Sequence, residues 1–116
     1  MTVAEIADRL EGSLAAPGAP GAPDVGGGYV SDLLSDVMAN ARDGDVWVTL
    51  QKHVNIVAVA QLKNLAAVVI VNGREPEADT LARAAEHRVA IVRTPLSAFD
   101  AAGRLYQLGL RGRQVS

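Results

Sequence analysis

Two short segments of this chain gather most of the side chains able to handle a ligand: Gln51-Lys52-His53-Val54-Asn55 and Asn72-Gly73-Arg74-Glu75-Pro76. Each follows a strongly apolar run, and together they offer an imidazole, two cations, side-chain amides and the backbone amides of helix starts. Such a set suits an anion such as a phosphate, because amides at a helix N-terminus carry partial positive charge. The candidate ligand-binding residues are therefore Gln51, Lys52, His53, Asn55, Asn72, Gly73 and Arg74, with Thr94 at the end of a third apolar run. The same residues have plainer readings: Asn72-Gly73 is a turn pair, Asn55 can cap a helix, and Arg74 and Glu75 can simply be solvated. An imidazole titrates near neutrality, so His53 can act as a general base. No nucleophile or second acid stands beside it in sequence, so no catalytic residue is assigned. His53 and His87 lie far apart with no HxxxH or HExxH spacing, so neither a metal site nor a cofactor is expected. Gly26-Gly27-Gly28 is followed by Tyr29-Val30-Ser31, which matches neither a P-loop nor a dinucleotide fingerprint and reads as a hinge. Asp32 and Asp36, at i and i+4, read as the solvated face of a helix.

The elements that must position these groups follow from apolar periodicity. Thr2 and Glu5 form a capping box for a first helix through Val3, Ile6, Ala7 and Leu10, stopped by Gly12. Ser13–Ala16 fits a short strand, and residues 17–28 form a flexible Gly/Pro loop. Ser31 is the expected N-cap of a second helix with Asp32 near its positive end, an apolar face through Leu33, Leu34, Val37, Met38 and Ala41, and a stop at Gly44. Asp45–Leu50 reads as a strand. Val54–Leu65 suits a buried strand or a buried helix; its length favours a helix with Ala58, Leu62 and Leu65 on one face. Ala67–Val71 has the wholly apolar character of a central parallel strand. Pro76 opens a helix carrying Ala78, Leu81, Ala82 and Ala85, Val89–Val92 is another strand, and a last helix runs through Ala98, Ala101, Ala102 and Leu105 to Gly109. Residues 110–116 are a basic, frayed tail. The alternation predicts an α/β three-layer sandwich, a mostly parallel sheet flanked by helices, with ligands beyond the carboxyl ends of its strands.

Bulk properties narrow the function classes. The 116 residues fit one domain, and the 49% hydrophobic content supplies a core built from Ala, Val, Leu and Ile, because aromatics are only 3%. With no cysteine, disulfides, thiolate metal sites and a cysteine nucleophile are excluded. The opening residues lack a signal-peptide pattern and no apolar run approaches a membrane span, so a cytoplasmic location away from the membrane is expected. Residues 1–45 carry two basic and eight acidic side chains, a charge of −6, whereas residues 46–116 carry nine and five, a charge of +4. That polarity can steer a partner or draw two copies together. Scattered basic residues and scarce aromatics argue against nucleic-acid binding.

Four blocks in order, Gly27–Val37, Gly44–Thr49, His53–Ala60 and Asn72–Pro76, resemble a DRTGG-domain protein of the short, stand-alone type over about residues 2–110. The five-residue string that names the family does not occur in this chain. The resemblance implies a fold like the amino-terminal domain of HPr kinase/phosphorylase, without a kinase P-loop. Relatives sit beside CBS domains or in phosphotransacetylase-like chains, which implies a non-catalytic regulatory or ligand-sensing module, a homodimer, with an anionic or nucleotide-like ligand. Stand-alone members imply a regulatory partner associated with iron hydrogenase or histidine-kinase-like ATPases. Tyr29, Leu33 and Leu34 are the candidate interface. Two other classes stay open: an accessory phosphotransfer or hydrolytic enzyme using His53, and a purely structural interaction module.

Overall fold

Runs of Val, Ile and Ala too apolar to face water on either side form the centre of the molecule, and in the computed structural model, which describes residues 1–112, they become a five-stranded sheet. The elements in chain order are α1 (Val3–Arg9), β1 (Ser13–Pro17), β2 (Gly27–Val30), α2 (Leu34–Asn40), β3 (Asp45–Thr49), α3 (Asn55–Leu62), β4 (Ala67–Ile70), α4 (Ala78–His87), β5 (Ala90–Arg93) and α5 (Ala98–Gln107). The strand order is β1-β5-β4-β3-β2; β2 to β5 are mutually parallel and β1 runs antiparallel to β5. The α/β sandwich expected from the sequence is the observed architecture. Each step from β2 to β5 moves one place in the same direction, and right-handed crossovers then put α2, α3 and α4 on a single face. The other face is covered by α1 and α5.

Strand alternation divides the core in two. Val46, Val48, Val69 and Val92 pack with Ile6, Leu10 and Leu105 from α1 and α5. Trp47, Val68, Ile70 and Ile91 pack with Val37, Ile56 and Ala84 from α2, α3 and α4. All five residues of β3 and all four of β4 are buried, and each fully buried Val or Ile contributes about 1.5–3 kcal/mol. The Trp47 indole is wholly buried, and its Nε1–H donates to the Ser31 carbonyl at 2.7 Å, so its one polar atom is satisfied.

Several expectations need correction. Gly27 and Gly28 are not a hinge: they form β2 with Tyr29 and Val30, in register with Asp45–Val48, because pairing to β3 supplies what their own propensity lacks. Ser31 does not cap α2. Its Oγ accepts from the Leu33 amide at 3.1 Å in a tight turn, and the helix begins at Leu34 without a side-chain cap. Asp32 thus lies ahead of the helix and does not share a face with Asp36. In α3 and α4 the buried faces are rotated from the expected stripes. Leu62 is 74% exposed while Ile56, Val57, Val59 and Ala60 are buried, and α4 buries Thr80 and Ala84. The Thr80 hydroxyl donates to the Lys52 carbonyl at 2.9 Å and fixes that rotation. Pro76 is buried ahead of α4, whose N-cap is Glu77. Of the expected frayed tail, Arg111 is ordered: its carbonyl accepts from the Gly28 amide at 3.2 Å and its guanidinium stacks 3.7 Å from the Tyr106 ring centroid. Residues 113–116 lie outside the described residues.

Helix α1 closes with Glu11 left-handed at φ 56°, the Gly12 amide returning to the Ala7 carbonyl at 2.8 Å. Helix α3 closes with Asn64 at φ 51° and Leu65 bonded to Ala60, and α5 with Gly109 at φ 104° and Leu110 bonded to Leu105. This reversal feeds β1 and β4 directly. Gly12 is there for space: a Cβ would stand 2.3 Å from the Arg93 carbonyl oxygen. Gly103, inside α5, meets nothing. Gly12→Ala is therefore expected to destabilise by about 1–3 kcal/mol, and Gly103→Ala to stabilise by about 0.5–1 kcal/mol. Urea unfolding of the two variants tests both signs.

Candidate functional site

The carboxyl ends of β3 and β4 are neighbours, so their following turns open on one edge of the sheet. The β3 turn is held by Asp32. One carboxylate oxygen, Oδ1, accepts from the Thr49 hydroxyl at 2.9 Å and from the Leu50 amide at 2.7 Å. Gln51 is tied as well: its Nε2 donates to the Asp32 carbonyl at 2.8 Å and its amide to Thr49 Oγ1 at 3.1 Å. The Lys52 carbonyl accepts from the Glu77 amide at 3.2 Å and from Thr80, fastening this turn to the start of α4. From the β4 turn, Arg74 Nη1 donates to the Leu50 carbonyl at 3.0 Å.

These ties shape a cleft of about 230 Å³ lined by Asp32, Leu50, Gln51, Lys52, His53 and Arg74. Lys52 and Arg74 are its cations. Arg74 commits one donor to a carbonyl and a guanidinium has five, so most of its hydrogen-bonding capacity stays uncommitted among the described residues. His53 Nδ1 lies 2.8 Å from Glu77 Oε2, with the two side chains 56% and 40% exposed. Across the Gly73 turn a second cleft, about 330 Å³, is lined by Glu11, Gly12, Ser13, Gly73, Arg93, Thr94 and Pro95. There Arg93 is already engaged, 2.7 Å from Glu75 and donating to the Gly73 carbonyl at 3.4 Å.

The eight residues singled out by sequence therefore divide. Gln51, Lys52, His53 and Arg74 meet in the first cleft; Gly73 and Thr94 border the second; Asn55 and Asn72 are exposed and line neither. Thr94 serves the fold, since it is fully buried, donates to the Leu10 carbonyl at 2.6 Å and accepts from the Leu96 amide at 3.1 Å. Asn72, at φ 59°, is the left-handed residue of the turn, and its amide bonds to the Leu96 carbonyl at 2.8 Å. Asp32 was missed as a site residue because its neighbours in sequence point only to a helix start. Its partners lie 17 and 18 positions away and exist only once β2 and β3 pair. Among the described residues no group of three His, Cys, Asp or Glu side chains could hold a metal ion, and no helix is long and apolar enough to cross a membrane.

The three candidate interface residues separate too. Leu33 is 63% exposed, Leu34 packs against the α2–α4 side of the core, and Tyr29 is half-buried with its hydroxyl donating to Asp36 Oδ1 at 2.8 Å. Asn40 Nδ2 also donates to Asp36 at 2.8 Å.

No protein-family model and no curated protein sequence matches the chain. Among solved structures it is similar to the CBS and DRTGG domains of the regulatory region of a Clostridium perfringens pyrophosphatase, complexed with its activator diadenosine tetraphosphate, at a TM-score of 0.76 and 16% sequence identity. The similarity covers 91% of this chain and 46% of that one, so this chain spans about half the length of its structural neighbour. At that identity the likeness establishes a common α/β fold.

The Tyr29–Asp36 bond has a signature in pH. The Ser31 hydroxyl first, then the Tyr29 and Asn40 donors, hold the Asp36 carboxyl below its ordinary range. The bond to Asp36, with burial, pushes the Tyr29 phenol up. A depressed carboxyl contributes stability above its unfolded pKa, lost as pH falls through the folded value; a raised phenol contributes below its unfolded pKa, lost as pH rises through the folded value. Carboxyl-detected NMR should therefore find Asp36 titrating below the ordinary aspartate value, and Tyr29→Phe should move it back up. An unchanged Asp36 titration in that variant would disprove the link.

Proposed function

We propose that this chain is a DRTGG-like, non-catalytic regulatory domain that senses a small anionic or nucleotide-like ligand at the carboxyl edge of its sheet and works as a homodimer. The observation that carries the ligand reading is the meeting of Lys52 and Arg74 across one cleft, on turns braced by Asp32 and by the start of α4. A guanidinium and an ammonium on fixed turns suit phosphate oxygens, and charge-assisted bonds of this kind are about twice as strong as neutral ones. The fold shared with a regulatory region whose activator is a polyphosphate-bridged dinucleotide supports the same direction. Lys52→Ala and Arg74→Ala should each weaken binding of ATP or inorganic phosphate about tenfold, as read by amide chemical shifts at residues 50–53 and 72–75. Binding that ignores both substitutions would sink this reading.

The His53–Glu77 contact favours a second reading, an accessory hydrolytic or phosphotransfer enzyme, because a carboxylate 2.8 Å from an imidazole nitrogen is how a general base is oriented. Substrate turnover abolished by His53→Ala would establish it, and turnover absent from the unmodified protein would leave sensing in place.

For association, Leu33 at 63% exposure, Val30 at 52% and Tyr106 at 59% give an apolar surface about the β2 side of the sheet. Small domains with limited buried surface gain from closed symmetric pairing. Light scattering should give twice the 12.1 kDa chain mass, and Leu33→Glu should return it to the single-chain value. A monomer at all micromolar concentrations would remove the dimer.

A further inference from the structure

The edge of the sheet opposite the proposed sensing site holds a cavity of about 440 Å³, larger than either carboxyl-edge cleft. Its walls are mostly aliphatic: Val3 from α1, Leu14 and Pro17 from β1, Leu65 and Ala66 ahead of β4, and Ala90 at the start of β5. The Gly/Pro segment between β1 and β2 passes over it as a strap that is fixed at both ends. At the near end Gly18, at φ 74°, presses so closely on β5 that a Cβ would come 2.8 Å from the Ala90 Cβ. At the far end the Val25 amide donates to the Met1 carbonyl and the Gly26 amide to the Gly44 carbonyl, both at 2.9 Å. The span between these anchors, including Ala22, is exposed and roofs the cavity.

The polar groups at the rim are not equivalent. Asp43 receives the Asn64 amide at 3.0 Å, and Asp24 lies 3.0 Å from the Met1 amino nitrogen. Arg88 borders the same cavity, is exposed, and has no ion pair among the described residues. Its backbone is left-handed, φ 57°, at the close of α4. Glycine serves that position with less strain, so what arginine adds there is a cationic side chain on a residue that borders an apolar chamber.

We infer that this cavity is a second ligand site, for an amphipathic small organic acid whose apolar body lies beneath the strap and whose anionic group meets Arg88. An aliphatic lining with one convergent charged group is the usual make-up of a small-molecule site, and here the lining acids already have partners while the cation does not.

Two dyes of nearly the same shape separate the parts of this proposal: 1-anilinonaphthalene-8-sulfonate, which is anionic, and N-phenyl-1-naphthylamine, which is neutral. Both should fluoresce on binding the native protein, the anion more tightly. Arg88→Gly, which suits the left-handed backbone and spares the fold, should weaken the anionic dye about tenfold, the equivalent of one charge-assisted bond, and leave the neutral dye unchanged. Ala22→Trp, on the exposed strap, should fill the chamber and displace both. Amide shifts on dye addition should fall at Leu65, Ala66 and Ala90. The site is overturned if neither dye binds the unmodified protein, if Arg88→Gly leaves the ratio of the two affinities unchanged, if Ala22→Trp leaves both dyes bound, or if the shifts fall elsewhere.

Discussion

The handedness of the strand–helix–strand crossover constrains everything else in this molecule. Four parallel strands are added one beside the next in chain order, so three successive right-handed connections must lie on the same side. That side is complete by the end of β5, and the other face can be covered only by chain that comes before β2 or after β5. Helices α1 and α5 do this, packing on Val46, Val48, Val69 and Val92. The same winding has a consequence for ligands. Strand order reverses nowhere among the parallel strands, so there is no crevice of the kind that splits a doubly wound sheet. The carboxyl edge instead carries two shallow clefts, one on each side of the Gly73 turn, and the cations that matter are set by which turn each sits on.

Much of this was legible in the residues. The wholly apolar runs at Ala67–Val71 and Val89–Val92 gave β4 and β5, because a strand buried on both faces leaves no polar alternation to confuse it. The cap at Thr2 does what its side chain suggests, accepting from the Glu5 amide at 3.2 Å. Failures came where a distant partner overrides local preference. Two glycines become strand because β3 offers a ladder, and α4 turns Ala78, Ala82 and Ala85 outward because Thr80 finds a carbonyl on another loop. The site shows the same division. Lys52, His53 and Arg74 could be picked out from type and position, whereas Asp32 and Glu77 acquire their roles only through tertiary contacts.

The two edges differ in how they are built. At the carboxyl edge, turns are joined to one another by side chains, with Asp32, Gln51 and Arg74 each bonding across 18 to 24 residues of sequence. At the amino edge the backbone does the work, through left-handed closures at Asn64 and Arg88 that lead straight into β4 and β5. One edge can be retuned by exchanging side chains; the other is set by backbone closures in which a left-handed residue other than glycine costs about 1–2 kcal/mol.

The carbonyl of Arg111 on Gly28 bears on a hazard common to open sheets. An unprotected outer strand is a template for pairing with further chains, and repetition of that event leads to fibrils. Here β2 is four residues long, begins with two glycines and has one outward amide already occupied by Arg111. At the opposite margin β1 has an irregular register between Leu14 and Ala16 and ends in a proline that has no amide to offer. Both margins therefore oppose open-ended growth by strand addition. A second copy settling beside β2 would have to engage side chains, which favours an association that closes on itself over one that propagates.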